Sequence, residues 1–140
     1  MIWLEVVNGT VILSAVIAGA LAWYGWRQGT VSGHRYFSWL MLAIAEYSLA
    51  VALELSSSSI PAKIFWSKVE FAGAASLAPL WLLVALSFGQ YNRWLTRRWV
   101  ALIWVVPVVA FLLAATNEWH GLIWSDVRPL EGSAGHLAVL

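Results

Sequence analysis

K-I-F-W-S-K-V-E-F-A-G-A-A-S-L-A-P-L-W-L-L-V-A-L-S-F-G-Q-Y-N-R-W-L-T-R-R-W-V-A-L-I-W-V-V-P-V-V-A-F-L-L-A-A-T-N-E-W-H-G-L-I-W, residues 63–124, sets two apolar runs on either side of a short basic link. The first run, 69–88, has twenty residues and one charge, Glu70. The second, 99–115, has seventeen residues and no charge. A run of roughly twenty apolar residues spans the hydrocarbon core of a bilayer as a helix. Each run carries one proline past its middle, Pro79 and Pro107. The pattern predicts a transmembrane hairpin whose turn is the basic link 90–98.

The rest of the chain extends that pattern. Two more apolar runs precede it, 6–26 and 36–55, the second interrupted by Glu46 and Glu54. The fold expected is all-α: a polytopic membrane helical bundle with four transmembrane helices at about 6–26, 36–55, 64–88 and 98–116, forming a single membrane domain over 1–140. The first run lacks a basic n-region and an A-x-A-like cleavage site, so it is expected to be a retained helix. Of the 140 residues, 61% are hydrophobic and 11% charged. A soluble domain carries roughly 25% charged residues, and the shortfall is what burial in lipid requires. Nine of the eleven tryptophans fall near the ends of apolar runs, where amphipathic indoles meet the headgroups. The lipid bilayer is therefore the first expected partner. A net charge of +1 argues against nucleic acid, which is held by a clustered basic face.

Topology follows from the basic residues. The links after the first and third runs hold Arg27, Arg35, Arg93, Arg97 and Arg98; the other side holds Lys63, Lys68 and Arg128. Five against three predicts that those two links are cytoplasmic and that the N-terminus is outside. Four crossings then return the chain to the outside.

Polar residues inside the apolar runs are the candidates for function. Glu46 lies about ten residues into its run, near mid-membrane. A charge at that depth costs several kcal/mol, so the residue is neutral, paired or facing a polar cavity. It reads either as a ligand contact or switch, or as a packing element bonded to a neighbouring helix through Ser14, Ser76 or Ser87. Tyr47, next to it, is expected to project elsewhere. Glu54, Lys63, Lys68, Glu70, Asn117, Glu118 and His120 collect at the outer ends. If helices two to four are neighbours they share one rim, which is either the mouth of a ligand pocket or ordinary interfacial charge with snorkelling lysines. Glu70 is placed to approach Glu54 or to pair with a lysine. Asn117 and His120, three apart, suit one face of a helix end, and His120 reads as a pH-sensitive group or as a polar cap. Gly73 and Ser76 belong to a small-residue segment that permits close helix approach. Pro79 and Pro107 each remove one helical hydrogen bond and suit helices that move.

Several chemistries are not expected. With no cysteine there is no thiol catalysis and no cysteine-based metal site. His34 and His136 offer His120 no partner at metal-ligand spacing, so no metal site is expected. No phosphate loop or nucleophile–base pair is present, and neither a cofactor nor enzyme activity is expected.

The stretch 63–124 is also similar to a known family, the N-terminal seven-helix membrane region of bacterial sensor histidine kinases, found too ahead of diguanylate cyclases. The resemblance rests on Lys63-Phe65-Trp66, on the small segment 73–76, and on Pro79-Trp81-Leu82. It continues through the basic turn 93–98, Pro107, and Thr116-Asn117-His120-Leu122-Trp124. About half of the chain carries it well; the first two helices match only as generic membrane helices. It implies a membrane-embedded sensory input module for signal transduction in the bacterial inner membrane. An unknown small-molecule ligand would reach it from the outer face and bias helix packing, with a kinase or cyclase effector elsewhere. A cytoplasmic effector on a chain whose N-terminus is outside needs an odd number of crossings, which seven satisfies. A fifth helix is then expected to begin around 135–140, and the chain is expected to be either the first part of the region or a small protein that kept half of it. The alternative function is a non-catalytic accessory subunit. The expected assembly is a homodimer or a larger membrane complex.

Overall fold

The structure is a computed structural model that describes residues 2–29, 33–89, 91, 93, 95–122, 127–129 and 137–139. Trp94, Trp124, Gly135, His136 and Leu140, used above, lie outside them. Four long helices follow one another: α1 Ile2–Arg27, α2 His34–Ser56, α3 Ile60–Phe88 and α4 Arg97–Ala115. All four are long and apolar enough to cross a membrane. The chain is a helical membrane protein with four apolar helices among the described residues, as its sequence predicts.

The boundaries differ from expectation for local reasons. Helix α1 starts at Ile2, because no breaker precedes the apolar run. Helix α3 starts at Ile60 and takes Pro61 into its first turn, where a proline costs no hydrogen bond. Pro79 and Pro107 both lie inside uninterrupted helices. Thr116 breaks α4 from a short α5, Asn117–His120, so Asn117 and His120 do not continue the fourth helix. The fifth helix expected around 135–140 is not seen at its described positions. Leu137–Val139 is instead a strand, β2, paired antiparallel with β1, Val127–Pro129.

Each helix packs on its neighbours in sequence, and α4 rests on α3 more lightly than the others rest together. The contacts make every pair antiparallel. Between α1 and α2, Asn8 donates to Ser56 Oγ at 3.0 Å, and Gly25 lies against Ser38 at the other end. Between α2 and α3, Lys63 lies beside Glu54, and Gly33 beside Ser87. The order is up-down-up-down, with the arginines after α1 and before α4 at one end and Glu54, Lys63 and Glu118 at the other.

The buried side chains are mostly small. In α1 they are Ala18, Ala22 and Gly25; in α2 they include Ser38, Ser48, Ala50 and Ala52. Large apolar side chains such as Ile12, Leu13, Trp81, Leu102 and Val106 face outward. Lipid is as apolar as leucine, so burying a large apolar side chain against another helix gains little there; small side chains let backbones approach and gain dispersion contacts instead. Two of the buried serines spend their hydroxyls locally: Ser38 donates to the His34 carbonyl at 2.9 Å, and Ser87 to that of Val84 at 2.8 Å.

The tightest approach is at Gly73. A Cβ there would run into the Glu46 carboxyl and would stand 3.0 Å from Tyr47 Cβ and 3.1 Å from the Ala43 carbonyl oxygen. The glutamate tip can swing away, but the α2 backbone cannot. At the arginine end, Gly33 begins α2 with φ of 84° and lies against Ser87; the left-handed conformation and the close contact both favour glycine there.

Gly73→Leu is expected to lower the thermal midpoint in detergent by the equivalent of roughly 1–3 kcal/mol, the usual cost of overpacking. Ala101→Leu, on the exposed face of α4, is expected to leave it unchanged. Equal loss at both sites contradicts the close approach.

Candidate functional site

The polar residues expected to share one rim divide into two groups. The first lies in the seam between α2 and α3. The Glu70 carboxyl is within hydrogen-bonding reach of the Glu54 carboxyl and the Tyr47 hydroxyl. A bond between two carboxyls requires one of them to carry a proton, because ionised carboxylates only accept. Lys63, almost wholly buried, donates its ammonium to the Glu54 main-chain carbonyl at 3.2 Å. Its stem lies along the seam while its charge caps the last turn of α2, a favourable place for a cation. Glu70 therefore takes Glu54 and Tyr47 as partners and leaves the lysines to others. Tyr47, expected to project away, is part of this group.

The second group joins α3 to α5. Lys68 pairs with Glu118 at 2.7 Å, with the glutamate side chain 70% exposed. Such a pair contributes little to stability, but it fixes where α5 sits. His120 is held on both ring nitrogens. Nδ1 lies 3.1 Å from the Leu122 main-chain N–H, which donates to it, and Nε2 lies 3.1 Å from Thr116 Oγ1. With Nδ1 accepting, the neutral ring has its proton on Nε2 and donates to Thr116. Thr116 in turn donates to the Leu112 carbonyl at 2.7 Å. The chain of bonds ties the turn after α5 back to the end of α4. The Asn117 carbonyl accepts from Gly121 N–H at 2.8 Å and closes that turn.

Glu46 belongs to neither group. It lies deeper, over Gly73, near enough to Glu70 for their charges to interact. The three serines expected as its partners are engaged elsewhere. Ser76 donates to the Ala72 carbonyl at 2.8 Å, Ser14 faces Ser48 at 3.5 Å, and Ser87 bonds Val84. Glu46 instead lines a groove of about 590 Å³ between α2, α3 and α4. Its other walls include Tyr36, Trp39, Gly73, Ser76, Leu83 and Trp104. Periodicity alone does not find this groove, because it depends on how far α4 stands from α2. Among the described residues no cluster of three or more His, Cys, Asp or Glu side chains is placed to hold a metal ion.

Small-residue seams, lipid-facing bulk and a carboxyl line through the membrane define a polytopic helical membrane protein built around the α2–α3 contact. The family described as the N-terminal 7TM region of histidine kinase matches residues 10–139, and the chain belongs to that family. That region is a sensory, non-catalytic module, and the family is bacterial. No curated protein and no solved structure matches the chain.

Proposed function

We propose that this chain is the sensory input part of a signal-transduction protein, set in the bacterial inner membrane with its N-terminus outside. It binds a small molecule from the outer face, and the bound molecule biases the packing of α2 on α3. The bias passes to an effector on the cytoplasmic side, and the chain itself carries out no catalysis. The family match over 10–139 carries this reading. The seam supports it: Glu54, Glu70 and Tyr47 offer donors and acceptors at the outer end of the helix pair, and Gly73 sets the spacing between α2 and α3 at the depth of Glu46. A ligand that bonds Glu54 or Glu70 competes with the carboxyl–carboxyl contact and changes how tightly the two helices close. A ligand shifts such an equilibrium only as far as it binds one packing better than the other. The effector partner and any homodimer contact belong to the same proposal.

Two experiments test it. In a histidine kinase carrying this region, Gly73→Ala is expected to shift basal autophosphorylation several-fold in membranes, because it forces α2 and α3 apart. Ala101→Leu should leave it at the wild-type level, and an unchanged rate in both variants contradicts the proposal. For the orientation, an impermeant thiol reagent added to intact cells is expected to label Ser58→Cys and to spare Thr96→Cys, both at exposed positions. The reverse pattern inverts the topology.

A further inference from the structure

We propose that the groove between α2, α3 and α4 is a binding site for a lipophilic amine, a molecule with an apolar body and one protonated amino group that pairs with Glu46. The site is distinct from the outer-end access described above. It extends from Glu46 and Gly73 at mid-membrane toward the arginine end, where Tyr36, Leu83 and Val100 line it.

Three observations support the assignment. Its volume of about 590 Å³ falls within the range of roughly 300–1,000 Å³ typical of small-molecule sites. The walls are apolar and aromatic, with a single carboxyl among them, which is the composition of a pocket that orients a ligand through one polar group. Finally, no donor from the described residues bonds the Glu46 carboxyl. The nearest interacting group is the like-charged Glu70, and the serines within reach of the seam donate to their own helices.

Among the described residues, this acid has neither a donor nor a counter-charge beside it. Glu46 is half-buried, and an ionisable residue inside a membrane segment marks a functional site by default. An alcohol supplies a donor only. A protonated amine supplies donor and positive charge together, and charge-assisted bonds are the stronger kind. The apolar body of the ligand replaces lipid chains against Leu42, Leu80 and Leu83.

The test uses the protein in phosphatidylcholine nanodiscs. Two photoreactive probes are compared, a dodecylamine carrying a diazirine and an alkyne, and the dodecanol of the same design. Labelled positions are mapped by mass spectrometry. The amine is expected to label groove residues such as Leu42, Leu83 and Trp104 about tenfold more than the alcohol does, the ratio that one charge-assisted contact supplies. Glu46→Gln should bring amine labelling down to the alcohol level. Val100→Trp fills the groove from α4 without touching the α2–α3 seam, and should abolish groove labelling by both probes while elution and helicity stay unchanged. Equal labelling by amine and alcohol in the wild-type protein overturns the proposal, since the groove is then filled by chain length alone. So does amine labelling that survives Glu46→Gln, and so does labelling confined to the outward faces of α1 and α4. The readout is binding alone, so any of these results leaves the sensory reading standing.

Discussion

Two membrane helices come within van der Waals reach only where no side chain stands between their backbones, and in this chain that place is Gly73. The absent Cβ lets the Ala43 carbonyl and the Tyr47 side chain of α2 lie against α3, and it leaves room for the Glu46 carboxyl in the same layer. From that point the seam runs both ways. Toward the end opposite the arginines it places Glu70 beside Glu54 and Tyr47, and Lys63 under the last turn of α2. Toward the arginine end it brings Ser87 against Gly33. Helices α1 and α4 are attached to this pair from outside, each resting on one neighbour and presenting large apolar side chains outward.

The seam places carboxyls inside a membrane protein at depths where lipid would not accept them alone. Glu54 and Glu70 approach each other across the two helices. Among the described residues Glu46 has no such partner, and it lines a groove instead. The α2–α3 contact brings titratable side chains together around one glycine, whereas the serine contact between α1 and α2 involves no titratable group.

The four spans were legible in the sequence because apolar length is nearly sufficient to specify a membrane helix. Gly73 was legible as a packing position because small residues cluster around it. Partner choice was not. Glu46 was assigned serine partners by depth alone, yet a serine in a helix reaches its own carbonyl three or four residues back more easily than a neighbouring helix, as Ser76 and Ser87 do. Tyr47 projects into the seam, a matter of helix rotation that adjacency in sequence does not fix. The rim expected as one cluster proved to be two because Thr116 ends α4 and lets α5 carry Glu118 to Lys68. The groove depends on the spacing of α4 from α2, which no local pattern encodes.

The α2–α3 register at Gly73 holds the bundle's arrangement, and disulfide trapping tests that register directly. The chain has no cysteine, so introduced pairs are unambiguous. Tyr47 Cβ and a Cβ at Gly73 lie 3.0 Å apart, and a small shift brings them to the roughly 3.5–4.5 Å of a disulfide. The double variant Tyr47→Cys/Gly73→Cys, oxidised in native membranes, is expected to crosslink within the chain. Leu49→Cys/Gly73→Cys is expected to stay reduced, because Leu49 is half exposed and turned away from the seam. Crosslinking of the second pair and not the first contradicts the register and the close contact on which the rest depends.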